Sequence, residues 1–297
     1  MNPHPLVLAT CLLVSSVMIT PMIMPPPPAQ GATPAAEGPT PEEKAALILF
    51  RQGRKAFDAG RHARAVNAFE GAWKVMQNNH LRYWLGRSYA ALDRCEQALP
   101  MLGEVVVDGM PKQALGALDA ARVRCLTRRA DELARAGDCS GGLALVTPER
   151  EPGSKKLRGQ LSEREAVLRW CSEEIGDDKA AGAAWKALGA MEARDWKGAI
   201  GAAREAVAAR DSAASQGLLG LALAGSGVCG EASRSLALAV DGGVTEVAGR
   251  PLTKEALRCW EVEARRLVKA DDCRAAMPLL KRLDGKLRHA KGRWLAT

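Results

Sequence analysis

Eight cysteines punctuate this chain of 297 residues, and a thiol can serve as a nucleophile, hold a metal or close a disulfide. The stretch GDCSGG, Gly137 to Gly142, is one inserted Cys away from GDSGG, a setting for a serine nucleophile. Such a nucleophile needs a base and an acid held beside it on a suitable fold. Outside the first segment, only His62, His80 and His289 could act as that base, so no catalytic residue is assigned and the protein is not expected to be an enzyme. Metal binding fits no better: there is no C-x-x-C pair, and no His falls near a Cys. GSGVCG, Gly225 to Gly230, satisfies G-x-G-x-x-G and follows the apolar LLGLALA. A dinucleotide loop requires a βαβ unit around it, and the related stretch LDRCEQ has no glycine. No cofactor is expected. The remaining chemistry for the cysteines is oxidation to disulfides.

Disulfides need elements that bring distant cysteines together. Only 4% of the residues are aromatic, while Ala, Leu, Arg and Glu dominate and β-branched residues are sparse, which favours helix over sheet. The stretch from Leu47 to Asn79 carries Gly53, Ala56, Gly60, Ala65, Phe69 and Ala72 at intervals that build a helix, a turn at Gly60 and a returning helix. Leu85, Gly86, Tyr89, Ala98 and Leu102 repeat the scheme, as do Leu219, Gly220, Ala232, Leu236 and Ala239. In these positions the chain resembles the tetratricopeptide repeat (TPR) proteins. The resemblance implies an all-α fold, an α-solenoid of roughly six helical hairpins. It also implies partner binding in a concave groove lined by the first helix of each hairpin. The groove places fall on Phe50, Arg54, Phe57, Tyr83, Arg87 and Arg128. The pattern that clamps a C-terminal carboxylate needs Lys and Asn, but Phe50 and Arg54 stand at the matching places.

A longer period overlies the short one. Cys95, Cys125 and Cys139 recur 134 residues later as Cys229, Cys259 and Cys273, and the same offset carries Ala65 to Ala199, Ala72 to Ala206 and Gly86 to Gly220. This indicates two tandem three-hairpin modules, 45–175 and 176–297. In the hairpin register, Cys95, Cys139, Cys229 and Cys273 each open the second helix of a hairpin. Cys95 and Cys125, Cys139 and Cys171, and Cys229 and Cys259 lie symmetrically about Pro or Gly turns. Antiparallel helices joined at such a turn place residues equidistant from it side by side, within disulfide reach. Three disulfides are therefore expected, each joining the second helix of one hairpin to the first helix of the next, with Cys273 unpaired.

The first two dozen residues are apolar and lead into the tract Pro25 to Pro28, which reads as a signal peptide over 1–31, or as a membrane anchor through 6–24 if it is retained. Residues 32–44 read as a disordered Ala/Pro-rich tether. A leader and three disulfides point to a periplasmic or secreted protein. The formal charge of +8 favours an anionic partner: an acidic protein or peptide, or an anionic envelope polymer such as a glycan or peptidoglycan. No nucleic-acid partner is expected, and membrane contact only through a retained leader. Function on this reading is a non-catalytic protein-protein interaction scaffold of the bacterial cell envelope; the alternative is a structural protein that binds anionic glycan or peptidoglycan through a basic surface.

Overall fold

In three of the hairpins a glycine on the first helix meets a large residue on the second. The computed structural model describes residues 38–147 and 152–294, with side chains as far as residue 284 in the last helix. The expected leader and residues 32–37 of the tether lie outside the described residues. Thirteen α-helices occur among those residues. Helices α1 (Pro41–Asp58) and α2 (His62–Trp73), α3 (Asn79–Ala91) and α4 (Cys95–Gly103), and α5 (Lys112–Arg135) and α6 (Cys139–Val146) form three hairpins. After α7 (Lys155–Trp170) come α8 (Asp178–Glu192) with α9 (Trp196–Ala209), α10 (Ala213–Gly225) with α11 (Cys229–Asp241), and α12 (Leu252–Lys269) with α13 (Cys273–Trp294). The fold is a TPR-like α-solenoid.

Each hairpin turns in the same way. The second residue before each returning helix adopts the left-handed conformation: Gly60, Asp93, Gly137, Arg194, Gly227 and Asp271. Glycine accepts this conformation without strain and Asp at modest cost. At the GDCSGG corner, Gly137 has φ +99°, and the Asp138 carboxylate accepts a hydrogen bond from the Gly141 N–H at 2.7 Å. The apparent nucleophile motif is thus a helix cap. The GSGVCG stretch is likewise the end of α10, a corner at Gly227, and the start of α11.

The crossings explain the glycines. A Cβ on Gly53 would lie 2.5 Å from the Phe69 ring, one on Gly86 2.8 Å from Leu102, and one on Gly220 2.6 Å from Leu236. Glycine on the first helix lets the large residue of the second seat fully in the gap.

Four features depart from the sequence expectation. The first helix begins at Pro41, inside the stretch read as tether, because Pro suits the first helical turn and Glu42 and Glu43 complement the helix dipole there. Helix α7 is an additional helix between the third and fourth hairpins and ends in a π-helical turn, Cys171–Ile175. Cys171 therefore sits on this added helix rather than on the first helix of the next hairpin. Finally, a short antiparallel hairpin of β1 (Glu246–Val247) and β2 (Arg250–Pro251) precedes α12, where the first copy has helix. The offset of 134 still carries Asn79–Ala91 onto Ala213–Gly225 residue for residue.

The cysteines meet as pairs. Cys95 with Cys125, Cys139 with Cys171, and Cys229 with Cys259 lie with their sulfurs at bonding distance and Cα atoms 5.0, 5.9 and 4.7 Å apart. Cys273 is free and exposed.

Candidate functional site: guanidiniums on an aromatic face

Helices α1 and α3 bring five of the six expected groove residues into one cluster around Trp84. Helical spacing puts Phe50, Arg54 and Phe57 on one face of α1, and Tyr83 and Arg87 one turn apart on α3. The Arg54 guanidinium stacks 3.9 Å from the centre of the Trp84 ring. Arg87 lies 4.8 Å from both Trp84 and Phe57 and 5.1 Å from Tyr83. Phe57 meets Trp84 edge-on at 5.2 Å, and Phe50 lies 5.2 Å from His80. Each stacked cation is worth about 0.5–2 kcal/mol, depending on desolvation.

Tyr83 is buried and braces the cluster from beneath: its hydroxyl donates to the Ala114 carbonyl at 3.3 Å and accepts from Arg87 Nη1 at 2.9 Å. Arg54 and Arg87 form no ion pair among the described residues. Arg54 Nε, Trp84 Nε1 and His62 Nδ1 are buried with no hydrogen-bond partner. Partial burial, and then the Arg54 charge, hold the His80 imidazole below its ordinary range. The face is therefore electropositive, amphipathic and unsatisfied, suited to a carboxylate that accepts from guanidinium while its neighbours pack on aromatic rings.

Arg128 is placed apart from these five. It sits on α5, 3.0 Å from Asp93 and 3.5 Å from Glu132, with Arg124 on the same Asp93 carboxylate at 2.7 Å. Its charge is matched within the chain. The sequence reading missed Trp84 as the centre of the cluster, and His62 and His80 as its rim. The signal was present: Trp84 follows the groove position Tyr83 directly, and His80 lies one helical turn before Trp84.

No protein-family model matches the chain, and no curated protein matches it. Among solved structures it is similar to the TPR2AB-domain:pHSP90-complex of yeast Sti1, at 16% identity and a TM-score of 0.31, covering 84% of this chain and 95% of that one. The P58(IPK) TPR domain is similar at 16% identity and a TM-score of 0.31, over 80% of this chain and 59% of that one. TTC0263, a thermophilic TPR protein of Thermus thermophilus, is similar at 22% identity and a TM-score of 0.26, over 67% and 91%. With overall superposition this low, the TPR-like assignment rests on the hairpins and crossings of the chain itself.

Proposed function

We propose that the protein is a non-catalytic interaction scaffold of the cell envelope, whose face on α1 and α3 holds an extended acidic segment of a partner protein. The observation that carries this reading is the pair Arg54 and Arg87, two guanidiniums on one indole with no carboxylate partner among the described residues. Elsewhere along the array, basic side chains such as Arg124, Arg164 and Arg282 are matched by Asp93, Asp131 and Asp241. Three cysteine pairs support an oxidising compartment. Among the described residues no helix is long and apolar enough to cross a membrane.

Fluorescence anisotropy with a fluorescein-labelled decapeptide of alternating Glu and Gly tests the site. Exchanging both Arg54 and Arg87 for alanine is expected to weaken binding at least tenfold, since two charge-assisted contacts of about 1.5–3 kcal/mol each are lost. Equal affinity for the variant and the parent would sink the reading.

The same titration has a pH signature with two opposed signs. Because the folded-state pKa of His80 is depressed, the unfolded chain takes up a proton first. The contribution of His80 to stability is therefore complete above the ordinary imidazole range and is lost as pH falls through that range toward the folded value. Acidification also adds a third positive charge beside Arg54, so affinity for the Glu-Gly peptide is expected to rise several-fold. The His80→Gln variant should show neither change across the same pH range. A rise in affinity that persists in His80→Gln would assign the effect to another group.

A further inference from the structure

The two pieces of chain that stand outside the hairpin pattern, α7 and the β1–β2 turn, line one cleft together with α5 and α8. Its volume is about 440 Å³, within the range of ligand pockets. Val167 from α7 and Trp185 and Leu188 from α8 give it an apolar wall, and the Arg164 guanidinium lies 5.4 Å from the centre of the Trp185 ring. The cleft is not isolated. Through Glu163, Glu192 and Arg250 it continues into a groove of about 660 Å³ along α5. Through Arg135 and Lys186 it continues into another of about 520 Å³ toward α9.

The lining charges divide into those already matched and those that are not. Arg164 Nε lies 3.3 Å from Asp131 Oδ1, and Arg250 Nη2 lies 3.8 Å from Glu192 Oε1. Arg135 and Lys186, which line both the cleft and its extension toward α9, form no ion pair among the described residues. The lining of the extension carries Arg135, Lys179 and Lys186 against Asp178 and Glu205, three cations to two carboxylates, so that end keeps one positive charge in excess. Glu163, also without an ion pair among the described residues, lies where the cleft meets the groove along α5. An apolar wall with spare cations at one end and a spare carboxylate at the other selects an oriented, extended ligand rather than a compact anion.

We propose that this cleft is a second binding site, taking a peptide segment of a partner protein with a leucine-sized side chain against Val167, Trp185 and Leu188. A carboxylate next to that side chain is held by Arg135 and Lys186. The site is built from different elements than the Arg54–Arg87 face, and neither depends on the other.

The test uses the full chain carrying Arg54→Ala and Arg87→Ala, so that the first face is silent. The probes are acetylated, amidated peptides of sequence Gly-Leu-Glu-Glu-Leu-Gly and Gly-Leu-Lys-Lys-Leu-Gly, followed by calorimetry. The Glu peptide is expected to bind and the Lys peptide at least tenfold more weakly. Adding Arg135→Glu with Lys186→Glu, both on exposed positions, is expected to reverse that order. A second variant fills the space without touching charge: a Cβ on Gly189 meets nothing within 4 Å, so Gly189→Trp projects an indole into the cleft from α8. It is expected to abolish binding with the helical signal unchanged. No binding of the Glu peptide, an unreversed preference, or undiminished binding to Gly189→Trp would each overturn the proposal. None of these results bears on the first face, which is read with Arg54 and Arg87 intact.

Discussion

Replacing Cys139 and Cys171 together with alanine is expected to lower the unfolding free energy by about 3–4 kcal/mol and the thermal midpoint by roughly 10 °C. The two cysteines lie 32 residues apart, and a cross-link of that span removes much of the freedom of the unfolded chain. Both are buried, and alanine avoids leaving an unpaired hydroxyl in their place. The same substitution at Cys95 and Cys125, which lie 30 residues apart, should cost a similar amount globally. The two variants differ locally. Cys171 ties down α7, which closes one side of the cleft, so amide exchange over 155–170 should accelerate only in the Cys139 and Cys171 variant. Calorimetric scanning in the oxidised state measures the first effect, and exchange mass spectrometry the second. A midpoint shift of less than about 2 °C in both variants would mean that these pairs do not staple the chain.

That cysteine pairs on different helices meet was legible in the sequence because two independent periods agreed. The hairpin spacing sets which residues open a helix, and the 134-residue offset repeats the choice, so an accidental match in one period is checked by the other. Helix α7 was not legible as a separate helix. Its residues, KKLRGQLSEREAVLRW, have the same helical composition as any first helix of a hairpin. Only packing decides whether it pairs forward or stands alone. The β1–β2 turn was missed for another reason. DGGVTEVAGR reads as a glycine-rich turn, and strands of two residues each are too short to leave an alternating pattern. Val247 is held there by tertiary contact: it is fully buried, and a Cβ on Gly217 would lie 2.9 Å from it.

The aromatic face was legible in part. The groove positions followed from the resemblance to the repeat, and five of the six converge. That convergence depends on Trp84, which no periodic argument distinguishes from a core residue, since it is 9% exposed and presents its ring rather than its edge to Arg54. Arg128 diverges because α5 also carries Arg124, and Asp93 at the corner between α3 and α4 holds both guanidiniums apart from the face on α1 and α3.

The second large effect is expected at the first hairpin crossing. Phe69 is fully buried, and Phe69→Ala should cost about 3–5 kcal/mol. Gly53→Ala should cost about 1–3 kcal/mol, because the new Cβ would fall 2.5 Å from the fully buried Phe69 ring. The double variant is the informative one. At the offset of 134, Gly53 and Phe69 correspond to Ala187 and Ala203, both fully buried, so the second copy carries an Ala-Ala crossing at this position. The methyl that clashes with the ring in the single variant instead occupies part of the cavity left by its removal. The double variant is therefore expected to be destabilised by at least 1 kcal/mol less than the sum of the two singles, a coupling within the range found for residues in contact. Chemical denaturation of the four proteins gives the coupling directly. Strict additivity would show that Gly53 and Phe69 do not share the space at that crossing, and the small-against-large account of the hairpins would fail with it.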